Sequence, residues 1–295
     1  MTASKNQGTA LVTGASSGIG ALYADRLARR GYDLILVARH RERLEALAQR
    51  LTHETGRQVD LVVADLNDRK EVGRVEAVLR SDANLTLLVN NAGVGSTAPL
   101  LHADIDTMEA MIAVNVTALT RLTYAAVPAF VARGRGTLVN IASIVGVAPE
   151  LLNGVYGGTK AFVLALSRSL RHELAGTGVR VQVVLPGAIA TAFWNIAGTP
   201  IEHLPQEQRE RVMSAEDLVD AALAGLDQGE FVTIPALPNA ADWEAFEAAR
   251  EALLPNLSHA TPAERYKVQA HGVVADAQHP GGTPGVTIAE RPRPL

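Results

Sequence analysis

The chain has 295 residues, of which 47% are apolar and 20% are charged, which is enough apolar material for one large core or two smaller ones. A formal net charge of -4 argues against a protein that binds nucleic acid through a basic surface, because phosphate binding needs a surplus of Lys and Arg. The sequence contains no cysteine, which excludes disulfides, thiolate metal sites and a cysteine nucleophile and fits the reducing cytoplasm.

The N-terminal residues 1–8 are polar, and no run along the chain approaches the roughly 20 apolar residues of a membrane-spanning helix. The sequence therefore predicts neither secretion nor a membrane span. The histidines are scattered without the spacing of a metal site, so no metal is expected.

Short β-branched runs alternate with longer helical patterns along most of the chain. The runs predict about seven strands, at 9–13, 33–38, 59–64, 85–89, 137–141, 179–185 and 231–234. Helical spacing of apolar residues predicts helices at 19–30, 41–54, 72–79, 104–131, 155–174, 214–226 and 240–254. Strands that are apolar on both faces and alternate with helices predict an α/β fold, a doubly wound parallel sheet of the Rossmann type.

No linker interrupts this alternation, so residues 1–267 are predicted to form a single domain. Residues 268–295 are rich in Gly and Pro without any period, which predicts a flexible C-terminal tail.

A glycine-rich turn follows the first predicted strand and opens the first predicted helix. Glycines at this position let the backbone approach a pyrophosphate, which then lies at the positive end of the helix. The predicted cofactor-binding residues of this turn are Gly14, Ser16, Ser17, Gly18, Ile19 and Gly20. The same residues also match Gly-x-Ser-x-Gly, the turn of a serine hydrolase with Ser16 as nucleophile, but no downstream Asp or His is marked as a partner.

Arg39 ends the second predicted strand, where an acidic residue would select NAD and an arginine accommodates the 2′-phosphate of NADP. No Asp or Glu stands at 38–41. The sequence therefore predicts NADP(H) in preference to NAD(H). Arg41 and Arg43 are interpreted as ordinary charges of a solvated helix start.

Tyr156 and Lys160 lie one helical turn apart, and Ser143 follows a strand that ends at the same edge of the sheet. A free tyrosine has a pKa of about 10, and a nearby ammonium is expected to lower it toward the range useful for proton transfer. The Ser143 hydroxyl is suited to binding a carbonyl oxygen. These three residues are the predicted catalytic group.

Further motifs appear in a fixed order along the chain. They are TGASSGIG at 13–20, Asp65-Leu66, NNAG at 90–93, Asn115, Ser143, Tyr156-x-x-x-Lys160, and Pro186-Gly187 followed by Thr191. Over residues 7–235 the chain resembles the short-chain dehydrogenase/reductase family, although many NADP-dependent members carry a basic residue where Ser17 stands.

The resemblance implies that Tyr156 is the general acid in reduction and the general base in oxidation, that Lys160 also binds the nicotinamide ribose, and that Asn115 holds a water relay to Lys160. Other cofactor contacts that it implies come from Asp65, Leu66, Asn91, Ala92, Gly93, Pro186, Gly187 and Thr191. It also implies a homodimer or homotetramer built through the helices near 104–132 and 155–174.

Two segments are expected to select the substrate, residues 144–152 and residues 188–213. Their predicted contacts are Val145, Leu151, Phe193 and Trp194, beside Ser143 and Tyr156. This apolar set predicts a small-molecule aldehyde or ketone, or the matching alcohol. Two alternatives to such an enzyme stay open, a nicotinamide-binding sensor or scaffold without turnover and the serine hydrolase.

Overall fold

A computed structural model describes residues 6–152 and 154–266 of the chain. Its strands are β1 Thr9–Thr13, β2 Asp33–Ala38, β3 Val59–Val63, β4 Leu85–Asn90, β5 Gly136–Ile141, β6 Val179–Val184 and β7 Val232–Thr233. Its α-helices are α1 Gly18–Arg29, α2 Arg41–Thr55, α3 Arg69–Ser81, α4 Ile105–Ile112, α5 Leu119–Ala132, α6 Gly154–Glu173, α7 Phe193–Ala197, α8 Gln206–Arg209, α9 Ala215–Asp227 and α10 Ala240–Leu253. Every predicted strand is therefore present, with ends that differ by a residue or two.

The strands of the described region form one parallel sheet in the order β3-β2-β1-β4-β5-β6-β7. Apolar residues of α1, α2 and α9 pack on one face, and those of α3, α5 and α6 pack on the other. The predicted doubly wound α/β fold is confirmed. The strand order reverses between β1 and β4, and ligands of such sheets bind in the crevice at this point.

The predicted helix at 104–131 is present but is not regular throughout. α4 and α5 are joined by a π-helical segment, Ala113–Ala118, whose buried residues include Asn115. Such π-helical turns occur often at functional sites. The stretch Ile105–Ala132 would be long enough and apolar enough to cross a bilayer by length and composition alone, with a mean hydropathy of 1.3. In this fold its inner side carries Leu122, Ala126 and Phe130 into the core.

A ladder of buried polar side chains joins the centre of the sheet to α5 and α6. Asn90 Nδ2 donates to Thr123 Oγ1 at 3.1 Å and to Asn140 Oδ1 at 3.0 Å. Asn140 Nδ2 donates to Ser167 Oγ at 3.0 Å, and that hydroxyl donates to the Val163 carbonyl at 2.7 Å. Because buried polar groups are costly without partners, these bonds fix the two helices against β4 and β5.

A second compact unit begins at Asn239, after the first unit ends at Pro238. Its described part contains α10, whose N-terminus is capped by Asn239 Oδ1 accepting from the Ala241 N–H at 3.1 Å. The predicted tail at 268–295 lies outside the described residues, so the division into a domain at 1–267 and a tail stays a prediction.

Candidate active site

The turn between β1 and α1 brings the chain unusually close to itself. Gly14 has a left-handed φ of +65°, and an ideal Cβ at Gly20 would lie 2.3 Å from the Gly14 carbonyl oxygen. No side chain fits at Gly20, so the start of α1 lies directly against the turn. The N-terminus of a helix presents N–H groups and the positive end of the helix dipole, which suit a phosphate.

Thr13 ties this turn to the end of β4. Its hydroxyl accepts from the Asn91 and Ala92 N–H groups, both at 3.0 Å, and the Asn91 side chain donates to the Thr13 carbonyl at 2.8 Å. The two strands at the reversal of the sheet are thereby held together at their carboxyl ends. This role of Thr13 is not visible in the sequence, because a threonine at a strand end gives no signal of its own.

A cavity of about 740 Å³ lies at this edge of the sheet. It brings together most of the predicted site residues, namely Gly14, Ser17, Gly18, Ile19, Asn91, Ala92, Gly93, Ser143, Val145, Leu151, Tyr156, Lys160, Pro186, Gly187, Thr191, Phe193 and Trp194. Thr191 reaches the glycine turn, since an ideal Cβ at Gly18 would lie 3.3 Å from its methyl group.

Ser143, Tyr156 and Lys160 share one wall of this cavity and are all buried. Ser143 caps a 3-10 turn, Ile144–Gly146, after β5, and its hydroxyl donates to the Pro186 carbonyl at 3.2 Å. Tyr156 and Lys160 lie on α6, with the Lys160 Nζ 5.8 Å from the centre of the Tyr156 ring. The predicted catalytic group is therefore assembled at the carboxyl edge of the sheet.

Burial raises the pKa of the Tyr156 phenol from 10.0 to about 12, and a hydrogen bond with the Ser143 hydroxyl opposes this rise. The direction is opposite to the lowering expected from the Lys160 ammonium, because the loss of hydration outweighs the effects that favour a phenolate. Burial also lowers the pKa of Lys160 from 10.5 to about 8. The Lys160 Nζ donates to the Ile141 carbonyl at 2.9 Å.

Asn115 does not line the cavity but lies directly behind it. The side chain is 1% exposed, and it bonds the Val94 N–H and carbonyl, both at 2.9 Å, and the Thr159 hydroxyl at 3.1 Å. An ideal Cβ at Gly93 would lie 3.2 Å from Asn115 Oδ1 and 3.5 Å from Lys160 Nζ. Asn115 therefore positions the loop after β4 beside Lys160.

Arg39 and Asp65 face each other at the ends of β2 and β3. Their closest charged atoms are 4.0 Å apart, and both side chains are exposed. Both are accessible to a ligand that extends from the glycine turn. Leu66 instead lies in the core with α3, and Ser16 is half-buried in the turn.

The outer part of the cavity contains residues that the sequence did not single out. Leu204, Gln208 and Arg211 line it from the segment around α8, and Thr97 and Thr199 line it where the β4–α4 loop meets α7. The segment around α8 is polar and interrupted by proline, so it has no apolar period from which its place beside the cavity could be predicted. Ser16, the nucleophile of the serine-hydrolase alternative, is not among the residues that line this cavity in the described part of the chain.

Comparison with known proteins gives consistent results. The family model described as short chain dehydrogenase matches residues 8–199. A short-chain dehydrogenase from Sphingobium yanoikuyae, solved in complex with NADPH, is 48% identical with a TM-score of 0.84, and the match covers 88% of this chain and 100% of that chain.

Two further proteins extend the comparison. The bulky-bulky ketone specific alcohol dehydrogenase from Comamonas testosteroni is 44% identical with a TM-score of 0.81, over 89% of this chain and 99% of that one. A very-long-chain 3-oxoacyl-CoA reductase from Anas platyrhynchos is 34% identical over 193 residues, which are 64% of this chain and 62% of that protein.

Proposed function

Because the chain belongs to the short-chain dehydrogenase family, we propose that it is an NADP(H)-dependent oxidoreductase that interconverts an apolar ketone or aldehyde and the matching alcohol. The observation that carries the proposal is that Ser143, Tyr156 and Lys160 line the same cavity as the glycine turn after β1. A nucleotide bound on the turn and a carbonyl bound at Tyr156 would therefore meet in one cavity.

The residues at the turn fit a dinucleotide. Gly14, Ser17, Gly18 and Ile19 of the turn line the cavity, and α1 begins at Gly18, so a pyrophosphate in the cavity would lie at the N-terminus of this helix. Arg39 is exposed near the same edge, where its guanidinium would bind a 2′-phosphate. The similar Sphingobium protein binds NADPH, which supports NADP(H) for this chain.

When bound, NADPH supplies the hydride for reduction. Tyr156 then acts as the general acid that gives its proton to the carbonyl oxygen, and the Ser143 hydroxyl hydrogen bonds to the same oxygen as negative charge develops there. The raised pKa of Tyr156 keeps the phenol protonated at neutral pH. A protonated phenol is the form that reduction requires.

Lys160 would hold the nicotinamide ribose. Its ammonium has three donors, of which one binds the Ile141 carbonyl, and the side chain lines the cavity. Asn115 is a positioning residue in this scheme, because it holds Val94 and Thr159 on either side of Lys160.

The cavity walls support an apolar substrate. Val145, Leu151, Phe193, Trp194 and Ile196 line the cavity, and an apolar lining with few polar groups is typical of sites for apolar small molecules. The similar Comamonas enzyme is described as specific for bulky-bulky ketones. We infer that this chain takes a ketone with sizeable groups on both sides of the carbonyl.

A nicotinamide-absorbance assay with NADPH and NADH tests this proposal, using aryl alkyl ketones, short aldehydes and the matching alcohols as substrates. We expect NADPH-dependent reduction of the aryl ketones. Tyr156→Phe should lower kcat by about 100-fold or more, because general acid catalysis contributes about 10²–10⁴. NADPH binding by fluorescence titration should stay within about twofold of wild type. NADPH binding without turnover of any substrate would instead indicate a sensor.

A further inference from the structure

Gly95 is a buried residue of the loop between β4 and α4 and lies directly against the ring of Phe193. An ideal Cβ at Gly95 would lie 2.2 Å from Phe193 Cζ and 2.6 Å from Cε2. Two unbonded carbon atoms prefer a separation of about 3.5–4.0 Å. The backbone of Gly95 does not have a positive φ, so an alanine would be conformationally allowed there. The aromatic ring is therefore what requires glycine at this position.

Both partners of this contact are held in place by other bonds. Asn115 fixes the neighbouring Val94 through two hydrogen bonds of 2.9 Å. Thr97 fixes the other side of the loop to α7, since its N–H and its hydroxyl both donate to the Ala197 carbonyl, at 3.0 and 2.9 Å. The loop and α7 therefore meet at two points, Gly95 with Phe193 and Thr97 with Ala197.

The Phe193 ring lies between this loop and the proton donor. Its centre is 5.7 Å from the centre of the Tyr156 ring and 6.0 Å from that of Trp194. Trp194 is itself fixed, because its Nε1 donates to the Ile189 carbonyl at 3.0 Å. A ring displaced from Gly95 would meet Trp194 or Tyr156 on its way, or enter the cavity.

We propose that Gly95 is a specificity-determining position, at which the lack of a side chain seats Phe193 against Tyr156 and keeps the cavity open for a bulky ketone. This inference rests on the proposed function. Gly95 acts through Phe193 and touches no reacting atom, so it is a positioning residue. A methyl group at residue 95 moves the ring toward the space that the larger substituent of the ketone occupies.

The test compares Gly95→Ala with wild type in the reduction of butyrophenone and of propanal by NADPH. We expect kcat/KM for butyrophenone to fall about tenfold or more while kcat/KM for propanal changes by less than about threefold, as for a change in pocket shape. The KM for NADPH should not change. Gly73→Ala is the matched control, because an ideal Cβ at Gly73 meets nothing within 4 Å.

A double-mutant cycle with Phe193→Ala distinguishes an effect of Gly95 through the Phe193 ring from a general loss of activity. If Gly95 acts through the ring, adding Gly95→Ala to Phe193→Ala should change kcat/KM for butyrophenone by less than about twofold. If Gly95→Ala lowers kcat/KM for butyrophenone equally in the wild type and in Phe193→Ala, the proposal is wrong. Equal losses for butyrophenone and propanal, or no loss for either, also overturn it.

A spectroscopic measurement that needs no catalytic turnover tests this inference independently of the proposed function. The chain has two tryptophans, so Trp243→Phe leaves Trp194 as the only one. In that background Gly95→Ala should change the near-ultraviolet circular dichroism of Trp194, whereas Gly73→Ala should not. An unchanged spectrum contradicts the seating of Phe193 whether or not the protein reduces ketones, and absence of reduction by wild type contradicts only the proposed function.

Discussion

Burial lowers the pKa of the Lys160 ammonium toward neutral pH. With a pKa lowered to about 8, this side chain is charged below pH 8 and becomes neutral as the pH rises through that value. We expect kcat/KM for ketone reduction to be level below about pH 8 and to fall above it, since kcat/KM reports the groups of the free enzyme. Initial rates with NADPH across a pH series measure this profile.

Lys160→Met provides the comparison for that profile. It removes the titrating group, so its kcat/KM should be far lower and should show no inflection near pH 8. A wild-type profile that stays level from about pH 6 to about pH 10 would contradict the assignment.

We propose that the choice of cofactor depends most on Arg39. Arg39→Asp removes the partner for a 2′-phosphate and places a second carboxylate opposite Asp65, so kcat/KM with NADPH should fall by about tenfold or more relative to NADH. Rates with each cofactor measure the preference. Arg41→Asp is the control, because Arg41 is exposed and pairs with Glu45 on α2. If Arg41→Asp shifts the preference equally, Arg39 does not select the cofactor.

At the scale of elements, α3 shows how a capping residue determines where a helix begins. The apolar spacing predicted a helix from residue 72, whereas α3 begins at Arg69 because Asp68 caps it. The Asp68 carboxylate accepts from the Lys70 and Glu71 N–H groups at 2.7 and 3.1 Å. A polar first turn carries no apolar period, so only the capping residue could have indicated it.

Asp68→Ala should lower the free energy of unfolding by about 1 kcal/mol, as is typical when a helix loses its N-cap. Urea denaturation followed by circular dichroism measures the change. Asp68→Asn keeps a capping oxygen and should stay close to wild type. If Asp68→Asn lowers the free energy of unfolding as much as Asp68→Ala does, the cap is not the source of the stability.

The sequence predicted the strands and the proximity of Tyr156 and Lys160 much better than the lining of the outer cavity. Strands such as β4 are mostly apolar and buried along their whole length, and Tyr156 and Lys160 have a helical spacing that places them together. The short helices α7 and α8 have no such signal, because their contacts come from distant parts of the chain. The contact of Gly95 with Phe193 joins residues that only the folded chain brings together.

At the scale of the whole molecule, the exposed apolar residues of α4, α5 and α6 carry the proposal of a homo-oligomer. The exposed side chains are Ile105, Ile112, Tyr124, Val131 and Phe162, and α4 packs against α6. Exposed apolar side chains on neighbouring helices often mark a protein interface. We therefore propose that a homodimer or homotetramer forms through these helices.

Light scattering after size exclusion tests this proposal at micromolar concentration. The wild type should elute as a dimer or tetramer, and Tyr124→Asp combined with Phe162→Asp should shift it toward the 31.2 kDa monomer. Gln49→Asp adds a negative charge to an exposed position on α2 and should leave the mass unchanged. A monomeric wild type would contradict the proposal.

The buried polar ladder through Asn90 and Asn140 holds the helix that carries Tyr156 and Lys160 in place before a ligand binds. Its bonds reach α5 at Thr123 and α6 at Ser167, and α6 also carries Tyr156 and Lys160. Under the proposed function, the proton donor Tyr156 is thus held in a preorganised frame that costs little reorganisation when a substrate arrives. We expect changes of substrate specificity to come instead from the segment around α8, whose residues Leu204, Gln208 and Arg211 line the same cavity.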